Sequence, residues 1–197
     1  MKTVIFGGTF NPPHLGHERI VEIVEKEICP DRFLIIPTYI PPHKEMAAGS
    51  PTPRQRLSLC RAAFSKYKFV SICDMELKRK GNSYTVDTLN ELRTSGEYGE
   101  LYFVIGSDSL VNFTRWYRFE EIFRLCTLVV IPREENDYEM LIRISGEYKE
   151  RYGASVTVLH VDPLEISSTY VRNGGIGSDT VSEKVLRYIR KNHLYNT

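Results

Sequence analysis

Two histidines near the N-terminus are the residues of this chain best suited to chemistry. His14 and His17 follow the glycine pair Gly7-Gly8 and stand at the start of a segment with helical spacing. Three residues apart on a first helical turn, two imidazoles share one face and can act on one anion. The unpaired N–H groups and the positive dipole end of a helix start favour phosphate at the same place. The pattern therefore predicts a phosphate-binding turn.

A second group of donors lies near the C-terminus. Ser167, Ser168 and Thr169 open a helical turn, and Arg172 follows four residues after Ser168. A simple helix cap needs only one hydroxyl. Three hydroxyls and a guanidinium around one helix start are typical of an anion site.

Two further side chains have two interpretations each. Asp108 comes just after a strand-like run that ends at Gly106, where a carboxylate can accept hydrogen bonds from ribose hydroxyls. It can also cap the helix that begins near Leu110, and the two roles are compatible. Trp116, the only tryptophan, stands between two arginines, which suits a ring that faces a ligand. A sole tryptophan also commonly packs in a core, and spacing does not decide between these roles.

Short apolar runs alternate with amphipathic segments along the chain, and these elements must position the polar groups. The runs predict strands at residues 3–6, 33–36, 69–72, 101–105, 127–131 and 156–161. Helical spacing is found at residues 15–28, 53–64, 119–123, 137–152 and 181–192, and a further helix is expected to continue through Leu92 to Ser95. The alternation predicts an α/β fold with a Rossmann-like, doubly wound parallel sheet in a single domain over residues 1–197. Such sheets bind ligands at the carboxyl ends of their strands, so we expect the polar groups to gather along one edge.

Some local details follow from the same patterns. Arg54, Arg56 and Arg61 lie off the apolar stripe of the second helix, which predicts that they face solvent. Residues 74–82 are polar and end in a turn, and Ser83 or Thr85 is expected to cap the helix that follows.

Composition limits the class of protein. The chain of 197 residues is 42% hydrophobic with a formal net charge of +1, which is ordinary for a globular protein and argues against general nucleic-acid binding. An apolar run of ~18 residues, as a membrane span needs, is absent from the sequence. The four cysteines form no Cys-x-x-Cys pair and sit in or beside apolar runs, which predicts buried free thiols and a cytoplasmic protein.

The motif His14-Leu15-Gly16-His17 behind GGTFNPP resembles the His-x-Gly-His signature of the nucleotidyltransferase superfamily. Together with further motifs the chain resembles the bacterial nicotinate-mononucleotide adenylyltransferases. These motifs are PTYIPPHK, SYTVDTL, GSD, WYRFEEI and ISSTYVR. The resemblance implies adenylyl transfer from ATP to nicotinate mononucleotide, giving deamido-NAD and pyrophosphate in NAD biosynthesis, with Mg²⁺ carried in by ATP. Neither nucleic acid nor a membrane is an expected partner, and a homo-oligomer is compatible with the sequence.

The resemblance also implies roles for individual residues. The catalytic groups would be His14, His17 and Arg172, with no general base because the reaction needs positioning and charge neutralisation. ATP would contact Gly7, Gly8, Thr9, Phe10, Gly106, Asp108, Ile166, Ser167 and Ser168. The acceptor would lie against Lys44, Tyr84, Thr85, Trp116 and Tyr117, with the indole on the nicotinate ring and backbone amides on its carboxylate. Phe119 stands where many members have a second tryptophan, a difference expected to affect packing.

Three alternatives stay open at this stage. The acceptor could be another phosphate compound, such as nicotinamide mononucleotide or phosphopantetheine. The chain could sense ATP or NAD without catalysis, which the full set of basic residues disfavours. A zinc site on His14 and His17 would lack a nearby cysteine or carboxylate ligand.

Overall fold

The fold was examined in a computed structural model that describes residues 1–42, 45–134, 137–161 and 167–196. Within these residues the strands are β1 Lys2–Gly8, β2 Arg32–Pro37, β3 Val70–Ile72, β4 Glu100–Gly106, β5 Thr127–Ile131 and β6 Val156–Val158. The α-helices are α1 Leu15–Ile28, α2 Pro53–Phe64, α3 Met75–Arg79, α4 Thr85–Ser95, α5 Ser107–Val111, α6 Phe119–Leu125, α7 Asp137–Tyr152, α8 Ser168–Arg172 and α9 Glu183–Lys191. Two short 3-10 helices span Phe113–Arg115 and Leu194–Asn196.

The strands in the described part of the chain form one six-stranded parallel sheet in the order β3-β2-β1-β4-β5-β6. The order runs outward in both directions from the β1 and β4 pair, so the predicted doubly wound α/β fold is confirmed. In the register, Ile5 lies opposite Phe103 and Gly106 lies opposite Ile131. No helix in the described ranges is long and apolar enough to cross a bilayer.

The chain divides into two compact units, each made of separate segments. The first unit comprises Met1–Phe6, Ile23–Phe33 and Tyr84–Glu165, and the second comprises Gly7–Glu22, Leu34–Ser83 and Ile166–Thr197. The single domain predicted over residues 1–197 therefore stays a prediction.

The core of the first unit is built from the inner faces of β1, β4 and β5. These strands carry near-continuous apolar runs, as parallel strands covered on both faces require. Fully or almost fully buried members are Val4, Ile5, Leu89, Val104, Leu110, Leu128, Val129 and Val130. In α7, Leu141 and Tyr148 are buried, and the Tyr148 hydroxyl donates to the Leu110 carbonyl at 3.1 Å.

The second unit has its own core beneath α2 and α9. Thr52 caps α2 in a reciprocal pair, since its hydroxyl accepts from the Gln55 N–H and the Gln55 side chain accepts from the Thr52 N–H. The apolar stripe of α9 packs inward, as its spacing predicts. Fully or almost fully buried members of this core are Ile35, Ile36, Leu59, Cys60, Phe64, Val171, Val181, Val185 and Ile189.

Several local predictions are wrong. The polar segment 74–82 contains the short helix α3. Tyr84 occupies the N-cap position of α4, while Ser83 Oγ instead accepts from the Tyr39 N–H at 2.8 Å. The N-cap residue of α5 is Gly106, which places Asp108 inside the helix. The four cysteines, all in described ranges, are free thiols, but Cys29 is exposed and Cys73 is only partly buried.

Candidate active site

The loop between β1 and α1 (residues 9–14, hereafter the β1–α1 loop) belongs to the second unit. Phe10 adopts a positive φ of 47°, and its ring is buried with 2% exposure. The ring packs 5.0 Å from His17 and 5.9 Å from Phe64, measured between centroids. A Cβ on Gly8 would meet this ring at 3.1 Å, so the glycine is needed for the close approach of Phe10. The ring of Phe10 therefore serves packing.

His14 and His17 are held together at the start of α1. Their ring centroids are 3.7 Å apart with an interplanar angle of 37°, and His14 is 5% exposed. The His14 backbone N–H donates to Nδ1 of His17 at 3.1 Å. Because Nδ1 accepts, the proton of a neutral His17 ring is on Nε2, which makes Nε2 the donor. The side chain of His17 thus has a fixed orientation and a defined tautomer.

The turn at residues 167–172 (hereafter the serine turn) contacts the β1–α1 loop, although 156 positions separate Pro12 from Ser168. Ser168 Oγ donates to the Pro12 carbonyl at 3.1 Å, and the Arg172 guanidinium donates to the Asn11 carbonyl at 2.8 Å. Ser167 Oγ accepts from the Tyr170 N–H at 3.2 Å and so caps α8. The structure therefore brings together the two donor groups that the sequence predicts at opposite ends of the chain.

Arg56 is a residue of this region that the sequence reasoning missed. It was predicted to face solvent from α2, but it is 1% exposed. Its guanidinium donates to the Thr9 carbonyl at 2.8 Å and to the Tyr39 carbonyl at 2.9 Å. Burial lowers the pKa of Arg56, which reflects the cost of keeping the charge away from water. Arg56 thereby joins the loops that follow β1 and β2 within the second unit.

In the first unit, Asp108 forms an ion pair with Arg133 at 2.6 Å, and both side chains are more than half exposed. Because Gly106 lies opposite Ile131 in the sheet register, the segment after β5 runs beside the start of α5. A Cβ on Gly106 would meet Arg133 Nε at 3.3 Å, so Arg133 lies across this glycine. Position 106 accepts this side chain because it has none of its own.

Asp137 fixes the backbone that carries Arg133. Its carboxylate accepts from the N–H groups of Arg133 and Glu134 at 3.1 and 3.2 Å. A hydrogen bond from the Ser107 side chain is the main cause that lowers the pKa of Asp137, and these two backbone donors add to it. The ionised carboxylate thus ties the end of β5 to the start of α5.

Aromatic side chains form a second group in the first unit. Trp116 stacks on Phe113 with 4.9 Å between ring centroids and meets the edge of Phe103 at 6.3 Å. Trp116 thus has a packing role and is still partly exposed. Tyr117 is 52% exposed and lies 4.6 Å from Tyr84, again between centroids.

The predicted site residues divide between the two units. The second unit holds Gly7, Gly8, Thr9, Phe10, His14, His17, Ser167, Ser168 and Arg172. The first unit holds Tyr84, Thr85, Gly106, Asp108, Trp116 and Tyr117. Lys44 and Ile166 lie outside the described residues. Among the described side chains, no group of three His, Cys, Asp or Glu could hold a metal ion.

Comparison with known proteins first defines the broad family to which the chain is similar. The family model described as cytidylyltransferase-like matches residues 5–174. Curated relatives narrow the class, and two of them bear the name probable nicotinate-nucleotide adenylyltransferase. The protein from Fusobacterium nucleatum is 35% identical, with 97% of this chain and 96% of the relative covered. That from Geobacter sulfurreducens is 37% identical, with 99% and 98% covered. The chain belongs to the nicotinate-nucleotide adenylyltransferase family, which confirms the resemblance seen in the sequence.

A solved structure supports the fold. The nicotinic acid mononucleotide adenylyltransferase of Plasmodium falciparum, complexed with NaAD, superimposes with a TM-score of 0.80. The match covers 99% of this chain and 97% of the other at 15% identity.

Proposed function

We propose that this protein transfers the adenylyl group of ATP to nicotinate mononucleotide and forms deamido-NAD and pyrophosphate. The observation that carries the proposal is the contact of the serine turn with the β1–α1 loop. Through it, the two adjacent imidazoles and Arg172 belong to one local structure in the second unit. The names of the curated relatives support the same activity.

The chemistry requires charge neutralisation more than a protein nucleophile. An oxygen of the acceptor phosphate attacks the α-phosphorus of ATP, the bond between the α-phosphorus and the bridging oxygen breaks, and pyrophosphate leaves with that electron pair. His17 Nε2, His14 and Arg172 oppose the negative charge that develops on the phosphate oxygens. Fixed donors are effective here because they need no reorganisation during the reaction. Gly7, Gly8, Thr9, Ser167 and Ser168 bind the ATP phosphates beside them.

Residues of the first unit have their own roles in this proposal. Asp108 accepts hydrogen bonds from ribose hydroxyls of ATP, and Gly106 stands two residues before it. Trp116 stacks on the nicotinate ring through the face that Phe113 does not cover. Backbone amides near Thr85 and Tyr117 bind the nicotinate carboxylate, and Tyr84 packs beside them.

Mg²⁺ enters with ATP in this proposal. Mg²⁺ commonly binds through substrate phosphates and few protein ligands, so ATP would supply most of its contacts. When bound, the cation supplies additional positive charge to the phosphates. Chelation by EDTA is therefore expected to abolish pyrophosphate release, and added MgCl₂ to restore it.

The acceptor assay tests the proposal. Purified protein is given ATP with either nicotinate mononucleotide or nicotinamide mononucleotide, and pyrophosphate release and the dinucleotide product are measured together. We expect deamido-NAD as the product and a clear preference for the nicotinate compound, because amides are donors to a carboxylate. Equal rates would contradict the acceptor assignment, and no product with either compound would contradict catalysis itself.

A further inference from the structure

Asn11 lies at the centre of the β1–α1 loop and is held from three directions. Its Nδ2 donates to Ser50 Oγ at 3.1 Å, and its carbonyl accepts from Arg172 at 2.8 Å. Its Oδ1 accepts from the Tyr195 hydroxyl at 2.7 Å. With 6% exposure, Asn11 is a buried polar residue whose hydrogen bonds are costly to lose. The last of these contacts comes from the far end of the chain, 184 positions away.

Tyr195 lies in the 3-10 turn that follows helix α9, and both elements are anchored by buried side chains. Helix α9 is fixed by the fully buried Val185 and Ile189, and Leu194 is 7% exposed in the 3-10 turn that follows. Tyr195 itself adopts a positive φ of 60°, a conformation that is unfavourable for a residue with a side chain. Its contact with Asn11 helps to offset this cost.

The chemical state of the hydroxyl suits this contact. Burial is the main cause that raises the pKa of Tyr195, although the positive charges of Arg172 and Arg56 act in the opposite direction. The hydroxyl therefore stays protonated at neutral pH and donates. An amide oxygen that accepts from Tyr195 directs the amide nitrogen towards Ser50, so one donor defines the orientation of the whole Asn11 side chain.

We propose that Tyr195 is a positioning residue for adenylyl transfer, acting through Asn11 on the β1–α1 loop. This loop carries His14 and supplies the carbonyl that holds Arg172, so a shift of Asn11 displaces both groups. The inference rests on the proposed function. Catalysis by fixed donors falls steeply when they lose their alignment, even where binding survives.

The test begins with Tyr195→Phe, which removes only the hydroxyl. The matched control is Tyr188→Phe in α9, since the Tyr188 hydroxyl has no hydrogen-bond partner among the described residues. We expect Tyr195→Phe to lower kcat about fivefold, the scale of one neutral hydrogen bond, and to leave KM for nicotinate mononucleotide within about twofold. The control should match the wild type. An unchanged kcat in Tyr195→Phe would overturn the proposal.

A double-mutant cycle separates positioning from general stability. In an Asn11→Ala background, Tyr195→Phe should cause no further loss of kcat, because the residue acts through Asn11. A fivefold loss that persists in that background would also overturn the proposal.

Amide hydrogen exchange gives a readout that needs no activity. The amides of Thr9, Phe10, Asn11 and His14 should exchange at least about fivefold faster in Tyr195→Phe than in the wild type, while α7 exchanges at the same rate in both. If the wild type released no pyrophosphate, the proposed function would fail, and this exchange measurement would still decide whether Tyr195 holds the loop. Equal exchange at the Thr9, Phe10, Asn11 and His14 amides would refute that role.

Discussion

Replacing Arg56 with methionine removes the donor that the Thr9 and Tyr39 carbonyls share. Each carbonyl left without a donor costs about 1–3 kcal/mol. Relief of the buried guanidinium charge offsets part of this, and the methionine fills much of the space of the arginine stem. We therefore expect the free energy of unfolding to fall by about 2–4 kcal/mol. For a chain of this size, that corresponds to a drop in Tm of about 4–16 °C.

The assay is thermal unfolding followed by circular dichroism, with Arg61→Met as the matched control. Arg61 lies on the same helix and is exposed, so its replacement should change the free energy of unfolding by no more than about 0.5 kcal/mol. Pyrophosphate release by Arg56→Met should also fall at a temperature where the variant is folded, since Thr9 belongs to the β1–α1 loop. Equal Tm values for the two variants would refute the account of Arg56 as a link between loops.

Two further predictions concern stability. Gly8→Ala places a Cβ 3.1 Å from the Phe10 ring, and this overpacking should lower the free energy of unfolding by about 1–3 kcal/mol. The control is Gly146→Ala in α7, which should leave the free energy of unfolding unchanged or raise it, because no described atom lies within 4 Å of the added Cβ. Thermal unfolding compares them, and no loss in Gly8→Ala would contradict the packing role. Asp137→Asn should reduce the acid sensitivity of folding. The folded-state pKa of Asp137 is lowered, so its contribution is complete above the unfolded pKa of about 3.9 and is lost as pH falls through the folded pKa. The wild type should therefore lose more Tm than Asp137→Asn between pH 7 and pH 2, and identical losses would contradict this.

The positions of most helices and strands could be predicted well, because local sequence patterns determine them. Helices α1 and α2 span Leu15–Ile28 and Pro53–Phe64, the ranges that apolar spacing and the proline at residue 53 predict. Strands β1, β2, β4 and β5 are short apolar runs that end at or beside a glycine or proline, and parallel strands need no finer signal. Strand β6 ends at Val158, earlier than predicted, although Leu159 beyond it is buried.

Tertiary contacts explain what the sequence reasoning missed. Arg56 looks like a surface residue on a helical wheel, and only the folded second unit supplies the two carbonyls that make its burial favourable. Ser83 lies one residue before the N-cap Tyr84, and its hydroxyl accepts a hydrogen bond from the Tyr39 N–H instead of capping α4. The polar character of residues 74–82 gave no hint of α3 because the helix has only five residues.

In the candidate site, too, residue types could be predicted from the sequence, whereas tertiary contacts could not. The two donor groups could be recognised by residue type, and the contact of Ser168 with Pro12 brings them together. The hydrogen bond between Asn11 and Tyr195 could not be predicted, because the sequence has no signal that pairs an asparagine with a tyrosine 184 positions away. Arg133 follows the end of β5 and was not predicted as a site residue, yet it pairs with Asp108. The ligand roles of all these residues stay predictions.

The central claim is that the paired imidazoles stabilise charge on the reacting phosphates. It is tested most directly by turnover of His17→Ala, with His160→Ala as the control because His160 is exposed in the first unit, where it packs on Tyr138. Loss of one preorganised donor lowers turnover by about 10²–10³-fold, so we expect that decrease in kcat for His17→Ala and none for the control. Near-normal turnover of folded His17→Ala would contradict the account.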